Sequence, residues 1–461
     1  MPDSFDHDAP QANISRRERR RQRLDRAIVL ARRHGPTAPI WRKRVAILSG
    51  AVLLGLFAIL FAGIADRANA CFMALYRLAP WSPLILTPLG FAALVWLTRT
   101  LAPDAKGSGI PQIMAARLEP DKAMDSLASA RTAIMKFVAT IGALLVGASV
   151  GREGPTVQIS AAIMAYAHRV LRMPVRASVI IAGGAAGVAA AFNTPLAGVT
   201  FAIEELAAAY EQRMTMLVMT AVLISGMVSL GLNGDYVYFG AMTDVLPLPS
   251  ALMVIPVAGV IGGLAGGGFA RLMLDFARSE LSLFARMRSK PVWLAAGAGL
   301  IVAVTGCLTG FTWGTSYEPA RLIITGVHAP YWFGPAKFIA TLATAVSGLP
   351  GGIFAPSLAT GAGVGNLLRL VFPAQAAGPV VLLGMVGYFT GVVRAPLTAV
   401  VILSEATASH GLLLPLLATA IIADWIASYV CEERLYHGLS KGFMPSASRR
   451  EPGDPPGHSA T

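Results

Sequence analysis

The stretch VGASVGREGPTVQ, residues 146–158, sets three glycines and a proline inside an apolar chain, and the chain holds a second copy of its pattern. Moving along the sequence by 201 positions places Gly147 on Gly348, Gly151 on Gly352 and Pro155 on Pro356 without a gap. The same register carries Gly183 onto Gly384, Pro195 onto Pro396, Leu196 onto Leu397 and Glu204 onto Glu405. Identities among Gly, Pro and Leu come cheaply in such a sequence, so the shared spacing carries the argument. VGREGPTVQ leads forty residues after its proline to NTPLAGVTFAIEE, and GGIFAPSLA leads after the same interval to RAPLTAVVILSEA. Weak internal symmetry of this kind is what a duplicated transporter retains.

The surroundings of these segments belong in a bilayer. Of 461 residues, 55% are hydrophobic and 14% charged, far from the balance of a soluble domain. Apolar stretches recur at 45–64, 82–97, 133–150, 178–203, 214–232, 251–268, 291–313 and 378–404. Several are long enough to cross about 30 Å of hydrocarbon. Others are short or broken by Gly and Pro, and a broken helix in lipid must have its freed backbone groups covered by protein or facing a polar cavity. Much of the net charge of +13 lies in residues 1–44, in RRERRRQRLDR, ARR and WRKR. With no aromatic platform beside it, this reads as a cytoplasmic positive-inside tail able to meet anionic headgroups, and a nucleic-acid role is set aside. Ala-Asn-Ala before Cys71 resembles a signal-peptide end, but the long basic lead favours a retained first span. Cys71, Cys307 and Cys431 show no paired short spacing and suggest neither disulfides nor a zinc site.

Three segments place glycine just before a proline able to open a helix: Gly107-Ser108-Gly109-Ile110-Pro111, Gly151-Arg152-Glu153-Gly154-Pro155 and Gly352-Ile353-Phe354-Ala355-Pro356. The first turn of a helix has unpaired N–H groups and the positive end of the macrodipole, and glycine admits an ion close to the backbone. Converging helix starts therefore make an anion site whose partial charges attract chloride without trapping it.

GSGIPQ, GREGPTVQ, AAAFNTPLAGVTFAIEE and GGIFAP, in this order, resemble the signature segments of the CLC chloride channel and transporter family, over roughly residues 45–440. The resemblance implies an all-α polytopic membrane protein built from two inverted repeats of tilted and broken transmembrane helices. Its halves would span approximately 45–232 and 251–430, between a cytoplasmic tail over 1–44 and another over 441–461. It further implies a homodimer with one ion pathway per subunit and both termini cytoplasmic. In the family pattern Ser108 offers its hydroxyl to a central chloride, opposite the backbone N–H groups of Ile353 and Phe354, and Tyr436 in Glu433-Arg434-Leu435-Tyr436 completes the site. Glu153 matches the gating glutamate, whose carboxylate imitates chloride and departs when protonated, so anion and proton occupancy are linked. Glu205 matches the internal proton-transfer glutamate. The repeat pairs Glu204 with Glu405 and leaves Glu205 without a counterpart, which suits a function confined to one half.

Several side chains keep bland alternatives. Ser108 can be read as a helix cap beside Gly109, and Tyr436 as an interfacial anchor near the membrane boundary. Glu153 can be read as an ion pair with Arg152, as buried charges commonly find partners. Lys136 faces a family acid in relatives, but Gln112-Ile113-Met114 stands where some have carboxylates, so its partner stays open.

The expected function is chloride/proton antiport with no cofactor and no metal, chloride and protons being the ligands. A passive chloride channel is the nearest alternative, and Glu205 argues against it. Fluoride-specific relatives depart from the serine and tyrosine pattern that Ser108 and Tyr436 keep, and nitrate-preferring members tend to carry proline at the serine. No Walker motif, HExxH or Gly-x-Ser-x-Gly elbow points to an enzyme. The run Gly361-Ala362-Gly363-Val364-Gly365 lacks dinucleotide spacing and reads as close helix packing. The short polar tail after Tyr436 gives no expectation of nucleotide-binding modules.

Overall fold

The computed structural model describes residues 38–206, 212–234, 237–242, 244–327 and 329–444. Most of the basic tail and nearly all of the C-terminal tail thus lie outside the described residues. The chain divides into two units, Met1–Val45 and Ala46–Thr461. Described residues of the first belong to the opening turns of helix α1, Ala38–Leu78.

Helices follow one another along the rest: α2 (Pro83–Leu101), α3 (Ile110–Ala116), α4 (Ala130–Leu145), α5 (Glu153–Val170), α6 (Ala177–Phe192) and α7 (Pro195–Phe201). After a π-turn over Ala202–Leu206 come α8 (Gln212–Asn233), α9 (Leu248–Arg278), α10 (Ser282–Ser289), α11 (Pro291–Thr309) and α12 (Tyr317–Ile324). The series ends with α13 (Phe333–Val346), α14 (Phe354–Val371), α15 (Ala377–Val393), α16 (Pro396–Thr407), α17 (Leu413–Val430) and α18 (Leu435–Ser440). Among the described residues, five helices are long and apolar enough to cross a bilayer, and others that are apolar run to only 10–17 residues, as expected of a bundle with broken spans.

The breaks have local causes. The apolar stretch 178–203 is two helices, because Asn193 takes a left-handed conformation (φ 57°) that closes α6, and Pro195 opens α7. The stretch 378–404 breaks at the equivalent point, with Arg394 at φ 60° and Pro396 starting α16. Gly147 and Gly348 share φ 78°, a backbone shape that L side chains rarely adopt. The 201-residue register of the sequence is therefore also a register of backbone conformation.

Equivalent residues meet across the middle. Gly151 and Gly352 form an isolated antiparallel bridge, each N–H donating to the other's carbonyl at 2.7 and 2.8 Å. A pairing in which a residue meets its own equivalent in antiparallel sense is the contact of a two-fold relation, so the halves are inverted with respect to each other. Helices α6 and α15, equivalent in the repeat, are apolar all round and buried from Val179 to Phe192 and from Gly378 to Val393. They form the centre on which the short helices rest. The glycine run of α14 packs as anticipated: Gly363 lies against the backbone of Gly334, where an added Cβ would come within 2.3 Å of its Cα.

Candidate functional site

The helix starts flagged by the three Gly…Pro segments come together. Their loops are stitched by backbone bonds, Gly351 N–H to Gly107 carbonyl at 3.1 Å and the Gly151–Gly352 pair. A Cβ placed on Gly154 would meet Ser108 Oγ at 2.5 Å and Gly352 Cα at 3.2 Å, so glycine is required for the amino ends of α3, α5 and α14 to approach this closely. Three sets of first-turn N–H groups thus point into one small region.

Ser108 and Tyr436 face each other there: the Tyr436 hydroxyl interacts with Ser108. Both hydroxyl oxygens are buried, and neither has a hydrogen-bond partner within ordinary distance. Two buried hydroxyls with no close partner beyond their loose contact with each other, beside helix amino ends, suit an anion. Ile353 is the residue before α14 and Phe354 its first; the Phe354 ring lies 5.8 Å from that of Tyr436. Gln112 shapes the loop before α3, accepting from Gly109 N–H at 3.1 Å and donating to the Lys106 carbonyl.

Glu153 opens α5 and is fully buried, and its carboxylate oxygens make no hydrogen bond of ordinary geometry, although the backbone N–H groups of Glu153 itself and of Ala355 in α14 act on them. The side chain folds back on Gly151, whose Cβ, if present, would sit 2.1 Å from Glu153 Oε2. Arg152 turns elsewhere. Its guanidinium bonds Asp66 at 2.7 Å and the Ala62 carbonyl at 3.0 Å, so the ion-pair alternative for Glu153 finds Asp66 in the carboxylate's place.

Two cavities reach this region. One, of about 340 Å³, touches Ser108, Gly352, Ile353 and Tyr436, and carries Arg99, Lys106 and Arg288 on its wall. The other, of about 910 Å³, touches Arg152 and includes Asp66, Arg67, Arg77 and Glu318. Glu153 follows Arg152, on the wall of the larger cavity, and precedes Gly154, whose position abuts Ser108 on the wall of the smaller.

Glu205 lies apart from the helix starts, in the π-turn, 2% exposed, with both carboxylate oxygens unpartnered. Arg434, Glu204 and Arg117 are the charged groups acting on it. Tyr436 lies near enough to both Glu205 and Glu153 for their charges to act on its hydroxyl. Glu204, one residue earlier, points away to the amino end of α16.

Lys136 is fully buried and bonds backbone: its Nζ donates to the Ala105 and Gly107 carbonyls at 2.7 Å each, bracing the loop that carries Ser108. Lys337 was not singled out in the sequence, yet it does the equivalent in the second half, donating to the carbonyls of Thr312 at 3.0 Å and Gly314 at 2.7 Å before α12. Its signal was available, since Lys337 follows Lys136 by the repeat distance of 201.

Known proteins share this architecture. A solved slow cyanobacterial Cl−/H+ antiporter superposes with a TM-score of 0.73 at 25% identity, over 87% of this chain and 98% of that one. A eukaryotic CLC transporter matches with a TM-score of 0.69 at 24% identity, over 87% and 74% of the respective chains. A CLC-type fluoride/proton antiporter gives 0.73 at 23% identity, over 86% and 96%. The sequence model of the family described as voltage gated chloride channel matches residues 89–428. With inverted halves, broken helices and a match over most of its length, this chain belongs to the CLC family of voltage-gated chloride channels and transporters.

Proposed function

We propose that the protein is a chloride/proton antiporter of the cell membrane, with Ser108, Tyr436 and the backbone N–H groups of Ile353 and Phe354 as the chloride ligands, Glu153 as the gate and Glu205 as the internal proton-transfer residue. The observation that carries this reading is the buried, unpartnered Glu153 carboxylate beside convergent helix starts and two unpartnered hydroxyls. Ionised, that carboxylate competes with chloride for the same positive backbone dipoles; protonated, it gives them up. A second unpartnered carboxylate, Glu205, supplies a proton station beyond Tyr436. Antiport is also the activity named for the cyanobacterial relative, which matches at 25% identity. Two copies form the membrane assembly, each with its own pathway, and both termini face the cytoplasm, on the side where the basic tail is held.

The test is the pH outside liposomes containing the full chain under an imposed chloride gradient, with an uncoupler control for voltage-driven leak. Uphill proton movement is expected. Chloride flux without it would make the protein a passive channel.

A further inference from the structure

Something must hold the carboxyl of Glu205 where it can serve Tyr436's side of the pathway, and its backbone is an unusual one. Ala202–Leu206 is a π-turn, a wider coil than the α-helix that recurs at functional sites and needs outside support for its displaced carbonyls. Two arginines from other elements give that support. Arg117 donates to the Leu206 carbonyl at 2.7 Å, and Arg434 reaches the Glu204 carbonyl at 3.5 Å. These are the carbonyls of the residues immediately before and after Glu205.

Each arginine caps a short helix that leads to a proposed ligand of the anion site. Arg117 is the carboxyl cap of α3, whose opposite end starts just after Ser108. Arg434 immediately precedes α18, which carries Tyr436. Helices α3 and α18 pack against each other. A helix of six or seven residues is about 10 Å long and too short to bend, so a shift at one end is passed to the other.

We infer that Arg117 and Arg434 are positioning residues that fasten the turn of Glu205 to the two helices holding Ser108 and Tyr436, so that the anion site and the inner proton station move as one body. Chloride occupancy between the hydroxyls is then sensed at Glu205 through rigid connection as well as through charge. The inference rests on the reading of Glu205 as the internal proton residue.

Liposomes holding the full chain, with chloride efflux and proton uptake recorded together, test it in Arg117→Gln, Arg434→Gln, Arg117→Lys and Glu205→Gln. Each glutamine variant of the arginines is expected to lower proton flux per chloride about tenfold, the effect of one lost charge-assisted hydrogen bond, with chloride flux nearly kept. Arg117→Lys, which retains charge and a donor, recovers most of the coupling. Adding Arg117→Gln to Glu205→Gln leaves chloride flux where Glu205→Gln alone sets it. Parallel loss of both fluxes overturns the inference, because it would mark a role in the fold or pore alone. If Glu205→Gln uncouples while the arginine variants stay coupled, this inference fails and the site reading stands; if Glu205→Gln itself stays coupled, both fail. Should Arg117→Gln not reach the membrane, Arg434→Gln, whose bond is the longer one, gives the same readout.

Discussion

Glu204 and Glu405 each close the amino end of a helix in the opposite half of the molecule. The Glu204 carboxylate accepts from the N–H groups of Leu397 at 3.1 Å and Thr398 at 2.7 Å, and from the Thr398 hydroxyl at 2.8 Å. Glu405 accepts from the N–H groups of Leu196 at 3.2 Å and Ala197 at 2.9 Å. The residues exchange roles across the two-fold relation. A carboxylate at a helix amino end satisfies orphan donors and meets the positive end of the dipole, which explains why an acid can sit between apolar segments here without a cationic partner.

Replacing Glu405 with Ala should therefore destabilise the protein by about 1–3 kcal/mol, the range of a lost charged cap, and leave the proton-to-chloride ratio unchanged. Thermal denaturation in detergent and paired flux recordings check the two halves of this statement. A changed ratio at unchanged stability would put Glu405 on the proton route instead.

Glu153→Ala should give chloride flux that continues with no proton movement and no dependence on pH, since the buried carboxylate proposed as the gate is then replaced by an uncharged methyl. Efflux from liposomes measured at acid and neutral pH tests this. Retained coupling in the variant would remove Glu153 from the gate.

Lys337→Met keeps the volume of the side chain and deletes the donor to Thr312 and Gly314. Leaving two buried carbonyls without that donor should cost about 2–4 kcal/mol, read as a lower melting temperature. Lys136→Met should cost as much and should also weaken chloride binding by calorimetry, because its carbonyl partners lead directly into Ser108. Equal chloride affinity in the two variants would contradict this difference.

Acid should loosen the attachment of α18. Burial by itself would raise the Glu433 carboxyl, but hydrogen bonds and charges from Arg278 and Lys441 outweigh it and hold the group below its ordinary value of 4.5. A lowered folded-state value means stabilisation that is complete above 4.5 and is lost as pH falls through the folded value. Arg278 also donates to the Gly438 carbonyl at 2.6 Å, within α18. Protease access to α18 should accordingly rise on acidification below 4.5, and Glu433→Gln should show the raised access already at neutral pH. Access that stays low in the variant would show that the ion cluster does not hold the helix.

The sequence carried the plan of the molecule further than its side-chain partnerships. Glycine and proline mark where helices begin and end for local steric reasons, so the three helix starts and the repeat-related prolines Pro195 and Pro396 were legible from spacing. The extent of single elements was less so. The apolar stretch 178–203 reads as one run because hydropathy does not register a left-handed residue, and α1 continues well past residue 64 into Leu78 through polar Asp66 and Asn69, which line a cavity. Arg117 and Arg434 were not legible as site residues, because each acts on a backbone carbonyl distant in sequence and no residue type at the acceptor announces the bond, whereas Lys337 was open to the repeat distance from Lys136 but not to hydropathy. The π-turn at Glu205 leaves no mark in composition either.

The contact between Gly154, Gly352 and Ser108 has a practical consequence for anyone wishing to alter which ions pass. Where three helix ends abut with no room for even one methyl group, the wall is peptide, and peptide offers a mutagenesis library nothing to vary. Apart from the proposed gate at Glu153, handles for redesign lie where side chains border that wall, at positions 108, 354 and 436. A search for new anion preference is best confined to those three, with every glycine beneath them held constant.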